Sequence, residues 1–238
     1  MWINFEGIDG SGKTTVSTRV AEELRLRGVP VVHAREGGRF SSPIAGRVRE
    51  LARGMECLFL APEAELLLNL AREAQILAEI VKPALDRGAW VITDRSIDSH
   101  VGLAQHVRGL SPAVASAASA LASQGLRPDR TILVDVDPDV ARWRRRIRKI
   151  RERRLRDAGR KGLLGDSLAG RMSRGMRETA AARGWSVVQN TWRSLEETVA
   201  EVVAVLDGRA TPATAAGGFE ADPADLVGSY LEFARSVG

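Results

Sequence analysis

The sequence predicts an α/β fold with three layers: a five-stranded parallel sheet flanked by helices. Two observations predict it. Five short apolar runs (residues 2–6, 29–34, 90–93, 131–136 and 186–189) alternate with helical patterns of 10 to 25 residues, the signature of βαβ units covered on both faces. A glycine-rich turn also lies directly between the first apolar run and the first helical pattern, the place where such folds hold phosphate.

The elements follow in order. Residues 2–6 read as a buried strand running into that turn, and residues 14–27 as a helix on Val16, Val20, Ala21 and Leu24, stopped by Gly28. A second strand spans 29–34, a loop covers 36–42 and a helix runs over about 43–53. One long helix is expected over 62–87, stopped by Gly88, before a strand at 90–93 that ends on Asp94-Arg95. A loop then leads to an Ala/Ser-rich helix at 112–124. Strand 131–136 precedes a helix that enters the basic run RWRRRIRKIRERRLRDAGR; a helix at 163–182, a strand at 186–189 and a helix at 195–206 complete the domain. The expected division is an α/β domain over 1–208, a Pro/Gly-containing linker over 209–223, and a short amphipathic segment over 224–238 on Leu226, Tyr230 and Phe233.

Composition narrows the function. The chain has 238 residues, 44% hydrophobic, enough for a packed core. Its net charge of +5 is concentrated between Arg142 and Arg160. Such a run is first a solvated helix face, then an anion-binding surface; nucleic acid is possible but not favoured, since Trp143 is the only aromatic in the run. A single cysteine, Cys57, allows no disulfide framework. The N-terminus lacks a basic leader, and no apolar run approaches the roughly 20 residues of a membrane helix. A cytoplasmic protein with no membrane partner is expected.

The chemistry is carried by Gly7-Ile8-Asp9-Gly10-Ser11-Gly12-Lys13-Thr14, which fits GxxxxGK[ST] in the strand–turn–helix context that gives the match meaning. Glycines let backbone N–H groups converge on phosphate oxygens. Lys13 is expected on the β/γ-phosphates of ATP, and the Thr14 hydroxyl on Mg²⁺. Asp94, ending an apolar strand, has the form of a carboxylate placed beside that metal. Asp9, inside the loop, suits the acceptor or metal-bound water better than ATP.

These residues resemble the thymidylate kinase family. FEGIDGSGKTT (5–15) is close to that family's phosphate loop, and AREGG (34–38) resembles its REPGG loop without the proline. KPALDRGAWVITDR (82–95) and RPDRTILVDVDP (127–138) resemble two further motifs, and the basic run lies where the family has its LID, about residues 148–163. The resemblance covers about residues 2–207. It implies ATP and Mg²⁺ as cofactors, held by Gly7, Asp9, Gly10, Ser11, Gly12, Lys13, Thr14 and Thr15, with Thr14 and Asp94 at the metal. It implies Arg95 on the acceptor phosphate, Asp9 near the acceptor sugar and metal, and Arg39 in a loop that often supplies a second phosphate-binding arginine. The phosphate loop has no arginine, so the resemblance asks for one from the LID: Arg151, Arg153, Arg154, Arg156 or Arg160, with Arg153 and Arg156 foremost. A homodimer through helices beside the acceptor site is also implied.

The departures cluster at the acceptor base. Counting back without a gap from Lys82-Pro83, the family's stacking phenylalanine falls on Asn69 and its base-contacting arginine on Glu73; a one-residue slip would give Arg72, but rotates each side chain by about 100°. The family's Tyr-Gln pair falls on Leu103-Ala104, with Gln105 adjacent. The leading expectation is therefore an ATP-dependent phosphotransferase acting on a nucleotide or nucleotide-like acceptor other than dTMP. The alternatives are a divergent dTMP kinase, a kinase of a hydroxyl acceptor using Asp9 as base, and a nucleotide-binding regulator without turnover.

Overall fold

The structure, a computed structural model, describes residues 1–52, 59–151 and 165–208. Five strands, β1 (Trp2–Glu6), β2 (Val31–His33), β3 (Trp90–Asp94), β4 (Arg130–Asp135) and β5 (Ser186–Gln189), form one sheet in the order β2-β3-β1-β4-β5. Every pairing is parallel, with Phe5 opposite Asp94 and Glu6 opposite Leu133. Consecutive connections leave β1 toward opposite edges, so a crevice opens at the carboxyl ends of the central strands.

Helices cover both faces. On one, α1 (Lys13–Leu26) and α9 (Leu195–Leu206) pack over Ile3, Phe5, Ile92 and Val134. On the other lie α3 (Pro62–Ile76), α4 (Lys82–Asp86), α5 (Ile97–His106) and α6 (Pro112–Ser123), burying Leu66, Leu70, Val81, Val91, Val101 and Ala115. Helices α7 (Pro138–Arg151) and α8 (Gly165–Arg183) close the β4–β5 end around Ile8, Leu133, Val140 and Met176. Helix α2 (Pro43–Leu51) begins after Ser42, whose hydroxyl caps it by accepting the Ala45 N–H at 3.0 Å.

Strand β1 alternates in an unusual way for a buried strand. Ile3 and Phe5 face the apolar core, while Trp2, Asn4 and Glu6 point to the other face. Those polar groups are satisfied in sequence. Trp2 Nε1 donates to Thr93 Oγ1 at 3.0 Å, Thr93 to Asn4 Oδ1 at 3.0 Å, and Asn4 Nδ2 to Glu6 Oε1 at 3.1 Å. This buried ladder leads from the amino end of the sheet to the crevice.

Three expectations about elements need correcting. The loop expected after Arg95 contains α5: Ser96 caps it by accepting the Asp98 N–H, and Ile97, Val101 and Ala104 bury one face at helical spacing. The single helix expected over 62–87 is interrupted by a π turn at Leu77–Val81. Pro83 has no N–H to offer the carbonyl four residues earlier, and a wider turn is one way a helix absorbs that loss. The second strand is shorter than the apolar run, ending at His33. The LID arginines Arg153, Arg154, Arg156 and Arg160, the linker over 209–223, the segment over 224–238 and Cys57 lie outside the described residues. Among the described residues, no helix is long and apolar enough to cross a membrane.

Candidate active site

The turn between β1 and α1 is held in shape from both sides. Gly10 has φ +97°, and a methyl group there would run into the Ala141 carbonyl of α7. Gly12 (φ +88°) lies against the Asn190 amide, which donates to the Ser11 carbonyl at 2.7 Å. Asn190 is itself fixed, accepting from Thr198 Oγ1 at 3.0 Å and donating its backbone N–H to Asp135 at 2.7 Å. The loop closes on Ser11 N–H to Ile8 O at 3.1 Å, and α1 starts at Lys13. The first-turn N–H groups of α1 and its positive dipole end face the crevice, as phosphate binding requires.

Charges meet around this loop. The Lys13 ammonium lies 3.8 Å from Asp9 Oδ1 and 4.0 Å from Asp94 Oδ1. Burial, with Arg95 nearby, pulls the Lys13 pKa down, while Asp94 and Asp9 act to hold the proton on. Thr14 Oγ1 donates to Asp94 Oδ2, and Arg35 Nη1 reaches the same oxygen at 3.3 Å. Burial raises the Asp94 pKa but Lys13, Arg35 and the Thr14 hydrogen bond outweigh it, so the carboxylate is held ionised. Asp94 Oδ1 is buried without a hydrogen-bond partner among the described residues.

Arg95 turns the corner out of β3 in the left-handed region (φ +78°), a costly backbone for a residue with a side chain. Its backbone N–H bonds the Phe5 carbonyl at 2.9 Å, and the next N–H, of Ser96, bonds Glu6 Oε1 at 3.0 Å. The guanidinium bonds Asp9 Oδ1 at 2.7 Å and Ser99 Oγ at 3.0 Å, with Glu6 Oε2 at 3.9 Å. Burial works against the Arg95 charge, and Asp9 and Glu6 overcome it. Glu6, at the end of the polar ladder, also accepts from Ser99. Burial raises its pKa above the usual carboxylate value, with Arg95 opposing.

A second buried cluster lies on α3 and α5. Arg72 bonds Glu73 Oε1 through Nη2 at 2.6 Å and Nε at 3.1 Å, reaches Asn69 Oδ1 at 3.3 Å, and meets His100 Nε2 at 2.6 Å. Burial alone would raise the Glu73 pKa, but Arg72 and the His100 hydrogen bond bring it down to about 2; burial and Arg72 bring His100 down to about 4. The cluster is thus an ionised carboxylate beside an arginine and a neutral imidazole. Phe40, from the loop after β2, has Arg35, Arg72 and Arg49 over its ring at 5.1, 5.6 and 5.7 Å.

The sequence-derived candidates divide accordingly. Asp9, Lys13, Thr14, Asp94 and Arg95 form one network, while Asn69 and Glu73 form the neighbouring one. Arg39 and Thr15 are exposed, and no hydrogen bond among the described residues joins Arg39 or Gln105 to either network. Both Arg72 and Glu73 are buried, so the choice between them made by counting along a regular helix does not arise; that count also crosses the π turn. Sequence reading missed Glu6, Arg35, Phe40, His100 and Asn190, and named Arg72 only to set it aside. Glu6 and Asn190 could have been flagged, each being a polar residue closing an apolar strand at the crevice edge.

The thymidylate kinase family profile matches residues 5–202. The chain belongs to the thymidylate kinase family. A thymidylate kinase of Nitratidesulfovibrio vulgaris is 38% identical over 210 residues, covering 87% of this chain and 92% of that protein. One from Pseudomonas fluorescens is 43% identical over 142 residues, 59% of this chain and 66% of that protein. Among solved structures, thymidylate kinase from Ehrlichia chaffeensis superposes with a TM-score of 0.66 at 27% identity, covering 87% of this chain and 98% of that one. The chain is therefore a P-loop kinase of thymidylate-kinase type, and the five-stranded sheet is the fold of that family.

Proposed function

We propose that this chain transfers the γ-phosphoryl group of Mg-ATP to the phosphate of a nucleoside monophosphate, with dTMP as first acceptor. The carrying observation is the unbroken chain of contacts Asp94–Lys13–Asp9–Arg95, which joins the phosphate cradle to the first acceptor-side cation. In the reaction the bond from Pγ to the bridging oxygen of ADP breaks as a bond forms from an acceptor phosphate oxygen to Pγ. The acceptor oxygen is already anionic, so no base is required.

Lys13 and the α1 N–H groups bind the β/γ-phosphates, and Arg95 orients the acceptor phosphate. Thr14 Oγ1 and Asp94 Oδ1, buried without a hydrogen bond among the described residues, suit a hard cation such as Mg²⁺, the remaining positions falling to water and phosphate oxygens. Bound there, Mg²⁺ would neutralise charge on the β- and γ-phosphates. Among the described residues no group of three or more His, Cys, Asp or Glu could hold a metal, which fits a site completed by nucleotide. Arg153 and Arg156, outside the described residues, are proposed to neutralise charge on the transferring group.

The base end supports dTMP better than sequence alone suggested. An aromatic ring, Phe40, and a buried arginine, Arg72, are both available there, and the Glu73 charge is answered by Arg72. A second reading, an acceptor other than dTMP, is favoured by the buried Asn69–Arg72–Glu73–His100 network, which offers a polar surface to a base. ADP release with dTMP, dUMP, dCMP, dGMP and thymidine decides between them: fastest turnover of dTMP supports the first reading, and turnover of another monophosphate with dTMP inert supports the second. Turnover of thymidine, lost in Asp9→Asn, would instead mean a hydroxyl acceptor.

The working unit is a homodimer formed on the α3–α6 face, where Leu67 and Leu121 are 58% and 83% exposed. The nucleotide acceptor and the single cysteine fit a cytoplasmic setting.

A further inference from the structure

A cavity of about 210 Å³ opens on the far side of the sheet's β4–β5 end, away from the phosphate loop. It is lined by Arg127, Arg130, Arg183 and Trp185, with Asp98 and Asp129. The acids are already engaged: Asp129 accepts the Trp2 backbone N–H at 2.6 Å, and Asp98 pairs with Arg183. The Arg127 guanidinium bonds only the Leu126 carbonyl, at 3.1 Å, and the Arg130 guanidinium makes no hydrogen bond or ion pair among the described residues, its backbone pairing in β4 opposite Ile3. Two exposed guanidiniums without a carboxylate thus stand beside a partly buried indole, the pairing that receives a phosphate on the cations and a base on the ring.

A short chain of contacts links the cavity wall to the candidate active site. Arg183 holds Asp98 in the first turn of α5, and Ser99, the next residue, donates to Glu6 and accepts from the Arg95 guanidinium at 3.0 Å. A bound phosphate that drew Arg183 away from Asp98 would loosen the turn that fixes Arg95.

We propose that this cavity is a second nucleotide site, taking a nucleoside phosphate on Arg127, Arg130 and Trp185, and that its occupation weakens acceptor binding through Arg183 and Asp98. The test is equilibrium dialysis of the full chain with labelled ADP, beside acceptor KM measured across a series of ADP concentrations, with inorganic phosphate as a control ligand. The expected result is two ADP sites per chain, one of them lost in Arg127→Ala/Arg130→Ala, whose kcat without added ADP is unchanged. The acceptor KM should rise about fivefold with ADP in the native chain, and should cease to respond at constant ATP occupancy in the double variant. Arg183→Gln should raise the KM without ADP. One ADP site in both proteins overturns the proposal, and so does displacement of the second ADP by inorganic phosphate at equal concentration, which would leave the indole without a role. Two sites with a KM indifferent to ADP overturn the coupling. Dialysis reads the site even if the chain turns over no acceptor, so failure here and failure of the kinase reading are separable.

Discussion

Arg95 performs two tasks at one position, and they can be separated by substitution. Its side chain bridges Asp9 and Ser99, while its backbone holds a left-handed conformation that costs of the order of 1–3 kcal/mol. Arg95→Ala and Arg95→Gly should both lower kcat/KM by about a hundredfold or more, since each removes the cation proposed to orient the acceptor phosphate. Glycine adopts φ +78° without a side-chain penalty. Arg95→Gly should therefore be more stable than Arg95→Ala by about 1 kcal/mol in urea titrations; equal stabilities would mean that the backbone is not strained. Asn190 offers a second residue-level test. Asn190→Ala removes the side-chain donor from the Ser11 carbonyl, a loss of about 1–3 kcal/mol, while Thr198 keeps its bond to the Ser194 carbonyl; it should raise the KM for ATP more than it lowers kcat.

Among the elements, α3 carries the buried Asn69–Arg72–Glu73 cluster and also the exposed Leu67. Leu67→Glu and Leu121→Glu place charges on the exposed α3–α6 face without touching the buried side of either helix. Sedimentation velocity should then give a monomer where the native chain gives a dimer, and a native chain that is itself monomeric would remove the dimer proposal. The elements also separate what sequence could disclose from what it could not. The strands and the phosphate loop were legible because apolar runs and the spacing of glycines before Lys13-Thr14 are local signals. Helix α5 was passed over although Ile97, Val101 and Ala104 carried its periodicity, because Gly102 and the polar residues between them obscured a stripe only three residues wide. The Arg35–Asp94 and Arg72–His100 contacts were not legible at all. They join residues 59 and 28 positions apart, and only tertiary packing decides which of many arginines arrives.

Across the whole molecule, two buried histidines make stability depend on pH. His33 is held neutral at both ring nitrogens: Nδ1 accepts the Arg35 backbone N–H at 3.0 Å, and Nε2 lies 3.0 Å from Ser17 Oγ. Burial takes His33, like His100, from 6.5 down to about 4. Between those values the unfolded chain binds more protons than the folded one, so stability is complete above pH 6.5 and falls as pH drops toward 4. Each histidine accounts for about 3 kcal/mol over that window. The urea midpoint should fall steeply from pH 6.5 to 4, and His100→Gln should flatten the slope by about half. A midpoint constant over that range would show that neither imidazole is held neutral. Glu73, at about 2, stays ionised throughout.

The tight seating of Gly10 beneath Ala141, and of Gly12 beside Asn190, has a thermodynamic side. A loop wedged between α7 and the turn after β5 keeps its shape whether or not a nucleotide is present, so ligand binding has little disorder to remove. The Ser11 amide, bonded to the Ile8 carbonyl at 3.1 Å, should exchange slowly with deuterium in the ligand-free protein, and nucleotide association should carry a small entropic penalty in calorimetry. The same wedge makes the cradle answerable to α7: a displacement of that helix's first turns moves the surface against which Gly10 rests, so the shape of the phosphate loop is set by a helix that touches no phosphate.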